Sequence, residues 1–336
     1  MLTTIPQPDD YKNVGIECLI QAYKGIYTVD NSEMRPGVDR GDIWKYHEIV
    51  LRTSIVLIHQ GIELLLKSEV ARKSPLLLID QKRGEWKTLP NSGDESFTDL
   101  YTIAGNDLLR TFYACIQAGS ISENFVAHFE DIRVKRNKIV HSIGGEEISP
   151  EDVLKLILWT FTYLLGQDSF WESVLDKFYN HPGHDVGDME LEFEEIQQYI
   201  HIAYLEGILG RGELNNHFKI DLKSRRYHCP DCSARDGVLV RGDGTVEEYP
   251  SGKWAFLSPN APDSTGLECL VCREYFEIER KDCVPTEGEP CKGNVIYLDE
   301  PGDTDEDTGE VYEEDSYICL SCMRDQSTET KQVPTE

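Results

Sequence analysis

The sequence predicts an α plus small-β chain in which an all-helical bundle is followed by a small β module organised by cysteines. Three observations predict it. Apolar residues recur every three or four positions from about residue 10 to residue 180, the period of amphipathic helices. Eight of the ten cysteines fall between Cys229 and Cys322. From Tyr227 onward the helical period gives way to short β-prone runs, Val238-Leu239-Val240 and Trp254-Ala255-Phe256-Leu257, divided by Gly, Pro and Asp. A chain of 336 residues exceeds the usual span of one domain, so two domains with separate cores are expected.

Residues 1–180 form the bundle in this reading. The first helix starts near Asp10, a suitable cap, carries Val14, Cys18 and Tyr23 on one side and ends by Gly25. A longer helix runs from Asp42 through Ile43, Ile49, Ile55, Leu57, Ile58, Ile62, Leu65 and Leu66 to Lys73, where Pro75 stops it. His59 interrupts its apolar run and reads as a core residue rather than a ligand. Ser96 opens a third helix through Leu100, Ile103, Leu108 and Phe112, closed by Gly119. Ser122 opens a fourth, with Phe125, Phe129, Ile132 and Ile139 on one stripe and a stop at Gly144-Gly145. Ser149-Pro150-Glu151-Asp152 starts a fifth, which continues from Val153 to Tyr179; Pro suits the first turn and the acids suit the positive end of the helix dipole.

His181-Pro182-Gly183-His184 breaks the bundle. Residues 181–222, with Phe193, Ile196, Ile200 and Leu205, read as a helical connector, residues 223–323 as the cysteine module, and residues 324–336 as a polar, disordered tail.

The net charge of −28 divides unevenly, with 19 basic against 26 acidic residues over 1–180 and 14 against 35 over 181–336. Such a chain is a poor general partner for a polyanion, so any nucleic-acid site must be a local basic patch. Met1 to Asp10 lacks the basic and apolar regions of a secretory signal, and no apolar run approaches the roughly 20 residues that span a bilayer. A cytoplasmic protein with reduced cysteines and no membrane association is expected.

Cys229-Pro230-Asp231-Cys232 and Cys269-Leu270-Val271-Cys272 are two CxxC pairs with 36 residues between them. A two-residue gap lets the chain turn both thiolates towards one ion, and two such knuckles complete the four-sulfur set that Zn²⁺ favours. Cys283, Cys291 and the pair Cys319-Leu320-Ser321-Cys322 make a second such set, or else free thiols or disulfides. Two pairings are open: sequential, or cross-braced with the first pair joined to the third and the second to the fourth. The module resembles a zinc ribbon, and the ions, one or two per chain, are expected to be structural, because a closed four-cysteine site leaves no position for chemistry. Arg225, Arg226, Arg235 and Arg241 are its modest basic cluster.

In the bundle, Arg136-Asn137-Lys138-Ile139-Val140-His141 places an Arg and a His around a four-residue gap at the end of the fourth helix, with a polar residue directly after the Arg. Glu63-Leu64-Leu65-Leu66-Lys67 lies in the long early helix. Together, over residues 40–180, these features resemble the HEPN superfamily of Arg-x4-His ribonuclease-type helical domains. The resemblance implies a homodimer whose two motifs face each other in one cleft and cleave RNA. Independently of it, metal-free RNA cleavage requires a group of near-neutral pKa to move the 2′-hydroxyl and leaving-group protons, which suits His141. Arg136, permanently charged and forked, suits the extra charge on a pentacovalent phosphorus, and Asn137 can orient either group. Arg133, Lys135, Arg136 and Lys138 are the densest basic run in the chain.

The expected function is therefore a metal-independent endoribonuclease of the toxin or anti-phage defence kind; the alternative is a non-catalytic RNA- or protein-binding module with the ribbon as adaptor. Relatives in this superfamily are often silenced by modification of a Tyr two positions after the His; Ile143 stands there, so a different regulatory protein partner is expected. Asp303, Asp305, Asp307 and Glu314 match part of a calcium loop, but Thr308 replaces its glycine, and the acidic stretch reads as a solvated loop.

Overall fold

In the computed structural model the described residues are 2–33, 37–86, 93–116, 121–141, 147–166, 169–179, 190–219, 221–233, 238–240, 246–248, 253–284, 290–300 and 315–326. They fall into two compact units, Met1–His184 and Asp185–Glu336.

The first unit is helical: α1 (Pro8–Glu33), α2 (Arg40–Tyr46), α3 (Glu48–Lys73), α4 (Gly105–Cys115), α5 (Asn124–His141), α6 (Pro150–Leu164) and α7 (Ser169–Tyr179). Helix α3 is the axis of the bundle and packs against α1, α4, α5 and α6. Ile55, Ile58, Ile62 and Leu66 of α3 are fully buried, as are Leu19, Ile20, Tyr23 and Ile26 of α1. The two helices close tightly at Gly15 and Gly61, where a Cβ on Gly61 would lie 2.9 Å from the Gly15 carbonyl oxygen. By length and composition alone α3 could cross a membrane, with a mean hydropathy of 1.6 over its most apolar window. Half of that window is buried, and its buried apolar side chains form the core of the bundle.

Boundaries differ from the sequence reading in four places. Helix α1 continues past Gly25 to Glu33. The single helix expected from Asp42 is two, because the chain leaves helical geometry at His47; Asp39 caps α2 by accepting from the Asp42 N–H at 3.2 Å. Ser96 caps only a 3₁₀ turn over Phe97–Asp99, and α4 begins later, at Gly105. The expected helix from Val153 to Tyr179 is broken at Gly166, whose φ of 87° lies in the left-handed region. The start at Ser149 is as expected, with a capping box formed by Ser149 and Asp152.

The second unit opens with α8 (Glu190–Phe218), kinked at Gly210 and burying Ile202, Leu205, Leu214 and Phe218. From residue 185 onward the segment read as a connector thus belongs to the same unit as the cysteine module. After a one-turn helix at Pro230–Ser233 come a hairpin of β1 (Val238–Val240) and β2 (Val246–Glu248), and two three-stranded antiparallel sheets. The first sheet is β3 (Ala255–Leu257), β4 (Gly266–Cys269) and β5 (Tyr275–Glu277); the second is β6 (Ile296–Glu300), β7 (Ser316–Cys319) and β8 (Arg324–Asp325). Strand β8 pairs with β7, and the Gln326 N–H donates to the Tyr317 carbonyl at 2.7 Å. The chain is therefore ordered beyond 324, where the tail was expected to start. The side chains of Phe193 and Ile196, together with His181, His184, Arg235, Arg241, Ile143, Gly119, Gly144, Gly145 and the loop from Asp303 to Glu314, lie outside the described residues.

Candidate functional sites

The eight cysteines form two groups. Cys229, Cys232, Cys269 and Cys272 bring their sulfurs within 4.8 Å of one another, and Cys283, Cys291, Cys319 and Cys322 do the same. The arrangement is sequential, and the cross-braced alternative is excluded. Each group can hold a metal ion. Four thiolates around an ion at about 2.3 Å per bond have sulfurs roughly 3.8 Å apart, the edge of a tetrahedron. The observed separations are 3.6 Å for Cys229–Cys272, 3.9 Å for Cys232–Cys269 and 3.7 Å for Cys283–Cys322. These are far longer than a disulfide bond of about 2.05 Å, and all eight cysteines are free. Hydrogen bonding among the crowded sulfurs drives the Cys229 thiol far above its usual pKa and Cys272 far below. A cation at the centre removes that conflict, because it binds all four as thiolates.

The CxxC knuckle at 269–272 and the one at 319–322 are folded in the same way against their sheets. In each, the first residue of the sheet's first strand faces the first knuckle cysteine: Ala255 opposite Cys269, Ile296 opposite Cys319. In each, the leucine after that cysteine donates its N–H to the residue before the strand, Leu270 to Trp254 and Leu320 to Val295, both at 2.9 Å. In each, the residue after the second knuckle cysteine is left-handed, Arg273 at φ 63° and Met323 at φ 58°, and donates back to the first cysteine's carbonyl. The unit thus contains two copies of one ribbon. The sequence hides this, because the spacings differ and neither left-handed position holds the glycine that would mark it. Gly293 leaves room for the second group's knuckle: a Cβ there would lie 2.8 Å from Cys319 Sγ and 2.6 Å from the Ser321 Cβ.

Arg225 and Arg226 of the basic cluster are engaged internally, as is Lys253. Arg225 donates to the Lys292 carbonyl and to Ser321 Oγ, and Lys253 Nζ to the Ser321 carbonyl at 2.6 Å. Arg226 pairs with Glu206 of α8 and stacks over Trp254 at 4.4 Å.

In the bundle, Arg136, Asn137 and His141 all lie on α5, which stays helical through His141. On such a helix Arg136 shares the stripe of Phe125, Phe129 and Ile132, and His141 leaves the axis roughly 140° away. His141 is exposed, whereas Arg136 and Asn137 are half-buried. Arg136 Nη1 donates to Asn137 Oδ1 at 2.8 Å, which tethers the guanidinium to its neighbour on the helix. The basic run is less open than its sequence suggests. Arg133 binds Glu130 through two N–H groups and Lys135 binds Asp131 at 2.6 Å, acids one turn earlier that neutralise both.

The sequence also undervalued α3 beside this motif. His59 is 4 % exposed, stacks on Phe129 and has its Nδ1 3.8 Å from Glu63 Oε2. Glu63 Oε1 accepts the Gly105 N–H at the start of α4, and Lys67 Nζ donates to Thr102 Oγ1 at 2.9 Å. Their spacing of four places all three on one face of α3, a signal available in the sequence.

No family model matches this chain, and no curated protein or solved structure is significantly similar to it.

Proposed function

We propose that the protein is a metal-independent endoribonuclease of HEPN type, acting as a homodimer, with two structural zinc ions in the ribbon pair. The observation that carries the reading is the Arg136–Asn137 bond, which holds a permanent cation beside the helix end that bears an exposed histidine. In this reading His141 takes the proton from the 2′-hydroxyl as that oxygen attacks phosphorus, or gives one to the departing 5′-oxygen. Arg136 stabilises the added negative charge, and the products carry 2′,3′-cyclic phosphate and 5′-hydroxyl ends. Because the two side chains diverge on α5, the facing motif of a second copy supplies the partner group. A role in toxin-type or anti-phage defence, held in check by a protein partner, follows from the same resemblance. Zinc is the proposed ion because the sulfur separations fit a tetrahedron of thiolates at its bond length.

The test is cleavage of end-labelled RNA by wild type, His141→Ala, Arg136→Ala and an equimolar mixture of the two variants. Each variant alone is expected to lose roughly 10²–10⁴-fold in rate, the usual worth of a positioned acid–base group. The mixture should recover activity, since a mixed dimer carries one intact His and one intact Arg. Wild-type rates in His141→Ala would sink the proposal.

The pairing of Arg133 and Lys135 with their own acids leaves α5 a mixed-charge face and supports a second reading, a non-catalytic module that binds a protein, or RNA, through α5. RNA retention without new product ends would support it.

A further inference from the structure

The two four-cysteine groups differ in how far solvent reaches their sulfurs. In the first, Cys229, Cys232 and Cys269 are buried and Cys272 is half-buried; in the second, Cys283 and Cys319 are buried, and Cys291 and Cys322 are both half-buried. Their surroundings differ in the same sense. The first ribbon buries Tyr227, Trp254, Phe256, Leu267, Leu270 and Phe276, whereas the second buries Val295, Ile296 and Leu320.

The backbone also sets Cys291 apart. Cys319 is held on both sides, paired with Ile296 across one ladder and with Arg324 across the other. Cys291 belongs to no CxxC knuckle and lies in a segment, 291–295, that is part of no helix or strand. Its sulfur accepts the Gly293 N–H at 3.2 Å, and it can shift without breaking a strand ladder. The second group thus offers two accessible sulfurs, one of them on a backbone that can move.

Such a pair is open to a particular chemistry. Oxidation of cysteine follows thiolate character and access, and metal ligation keeps the sulfur a thiolate. The four sulfurs of this group lie within 4.8 Å of one another, close enough for a second thiolate to reach a first that has been oxidised. A disulfide needs about 2.05 Å between its sulfurs, whereas the edge of a thiolate tetrahedron around zinc is roughly 3.8 Å. The bond therefore cannot form while both sulfurs hold the ion, and oxidation and metal loss become one event.

We propose that Cys291 and Cys322 are a peroxide-reactive pair, which oxidation joins in a disulfide with release of the second ion while the first group keeps its own. The Cys291 thiolate attacks a hydroperoxide, takes its terminal oxygen as a sulfenic acid and releases hydroxide or alkoxide. The Cys322 thiolate then displaces hydroxide from that sulfur and forms the S–S bond. Two electrons pass from the sulfurs to the peroxide, the released anions take up two protons from solvent, and the ion leaves with two of its four ligands gone. The inference rests on the reading of the second group as a zinc site.

The test treats the full chain, its metal content measured beforehand, with hydrogen peroxide. A chromogenic chelator follows released zinc, and samples are alkylated with N-ethylmaleimide in denaturant before their disulfides are mapped by mass spectrometry. One ion per chain should leave in a first phase, together with formation of a Cys291–Cys322 disulfide, while Cys229, Cys232, Cys269 and Cys272 are still alkylated in full. Dithiothreitol and added zinc should restore the lost ion. Simultaneous loss of both ions, earlier oxidation of the first group, a first disulfide between other cysteines, or no release at all would overturn the proposal. An untreated chain that holds no ion in the second group refutes the zinc reading instead, and the mapping then decides by itself whether Cys291 and Cys322 are the first cysteines to pair.

Discussion

Removing the metal from the second four-cysteine group should unfold its ribbon and leave the helical bundle intact. Among the described residues the apolar core of this ribbon is small: Ile296 is buried together with Cys283 and Cys319, Tyr317, Cys291 and Cys322 pack against them, and Val295 and Leu320 are fully buried. Its three strands contain five, four and two residues, and ordering that backbone costs roughly 1–2 kcal/mol per residue. Binding of an ion by four thiolates supplies an apparent 10–16 kcal/mol or so at neutral pH, a contribution of the same size as that cost.

The assay is hydrogen–deuterium exchange of the full chain before and after chelation, with metal content measured in parallel. The reporting amides are Ile296, which donates to Glu279, Leu320, which donates to Val295, and Met323, which donates to Cys319. They should exchange rapidly once the ion is gone, while amides of α3 keep their protection. Cys322→Ser should lower the metal content by one ion per chain and give the same pattern. The first ribbon should loosen without losing its ion, because His228 and Lys253 donate to the second knuckle at Leu320 and Ser321. Protection of Ile296 and Leu320 that survives complete metal removal would refute the reasoning.

Two further outcomes follow from buried groups. His201 is fully buried in α8, and burial pushes its pKa down to about 3. Its folded value lies below the unfolded one of about 6.5, so its stabilising neutral state is complete above that pH and stability is lost as pH falls towards the folded value, by roughly 2 kcal/mol at pH 5. Urea unfolding of the second unit in wild type and His201→Leu at pH 7 and pH 5 should show the smaller loss in the variant, since acid release of metal is common to both; equal losses would remove the assignment. In the bundle, Gly61→Ala puts a Cβ 2.9 Å from the Gly15 carbonyl and 3.1 Å from Leu19, which forces α1 and α3 apart. The expected cost is about 1–3 kcal/mol in thermal or urea unfolding, and a variant as stable as wild type would show that the helices can move without penalty.

How much of this was legible in the sequence depended on whether the signal was local. The capping box at Ser149 and the stop at Pro75 were readable because each acts within a few residues. The break at His47 was not, since Ile43 and Ile49 carry apolar residues across it and no Gly or Pro marks the point where the chain leaves helical geometry. The membership of each four-cysteine group was also beyond the sequence. Spacing says that two thiolates of one knuckle share an ion, whereas the partner knuckle is chosen by the sheets, through the pairing of Ala255 with Cys269 and Ile296 with Cys319. The basic run from Arg133 to Lys138 misled for the opposite reason. Its neutralising acids, Glu130 and Asp131, sit just outside the window that defined it, at the spacing that brings side chains together on a helix.

The motif on α5 shows how local and non-local constraints meet at one residue. Arg136 occupies a place on the stripe of Phe125, Phe129 and Ile132, where helical periodicity calls for an apolar side chain. A permanent cation there is costly unless polar groups receive it. Asn137 receives it through its side-chain oxygen. His141, on the far side of the same unbroken helix, has no such enclosure and is exposed. One chain thus presents a restrained cation and an unrestrained imidazole in directions roughly 140° apart. If the two act on a single phosphate, the restrained group of one copy must meet the exposed group of another. For that reason recovery of activity in the mixture of Arg136→Ala and His141→Ala is a stricter demand on the proposed chemistry than the loss seen in either variant alone.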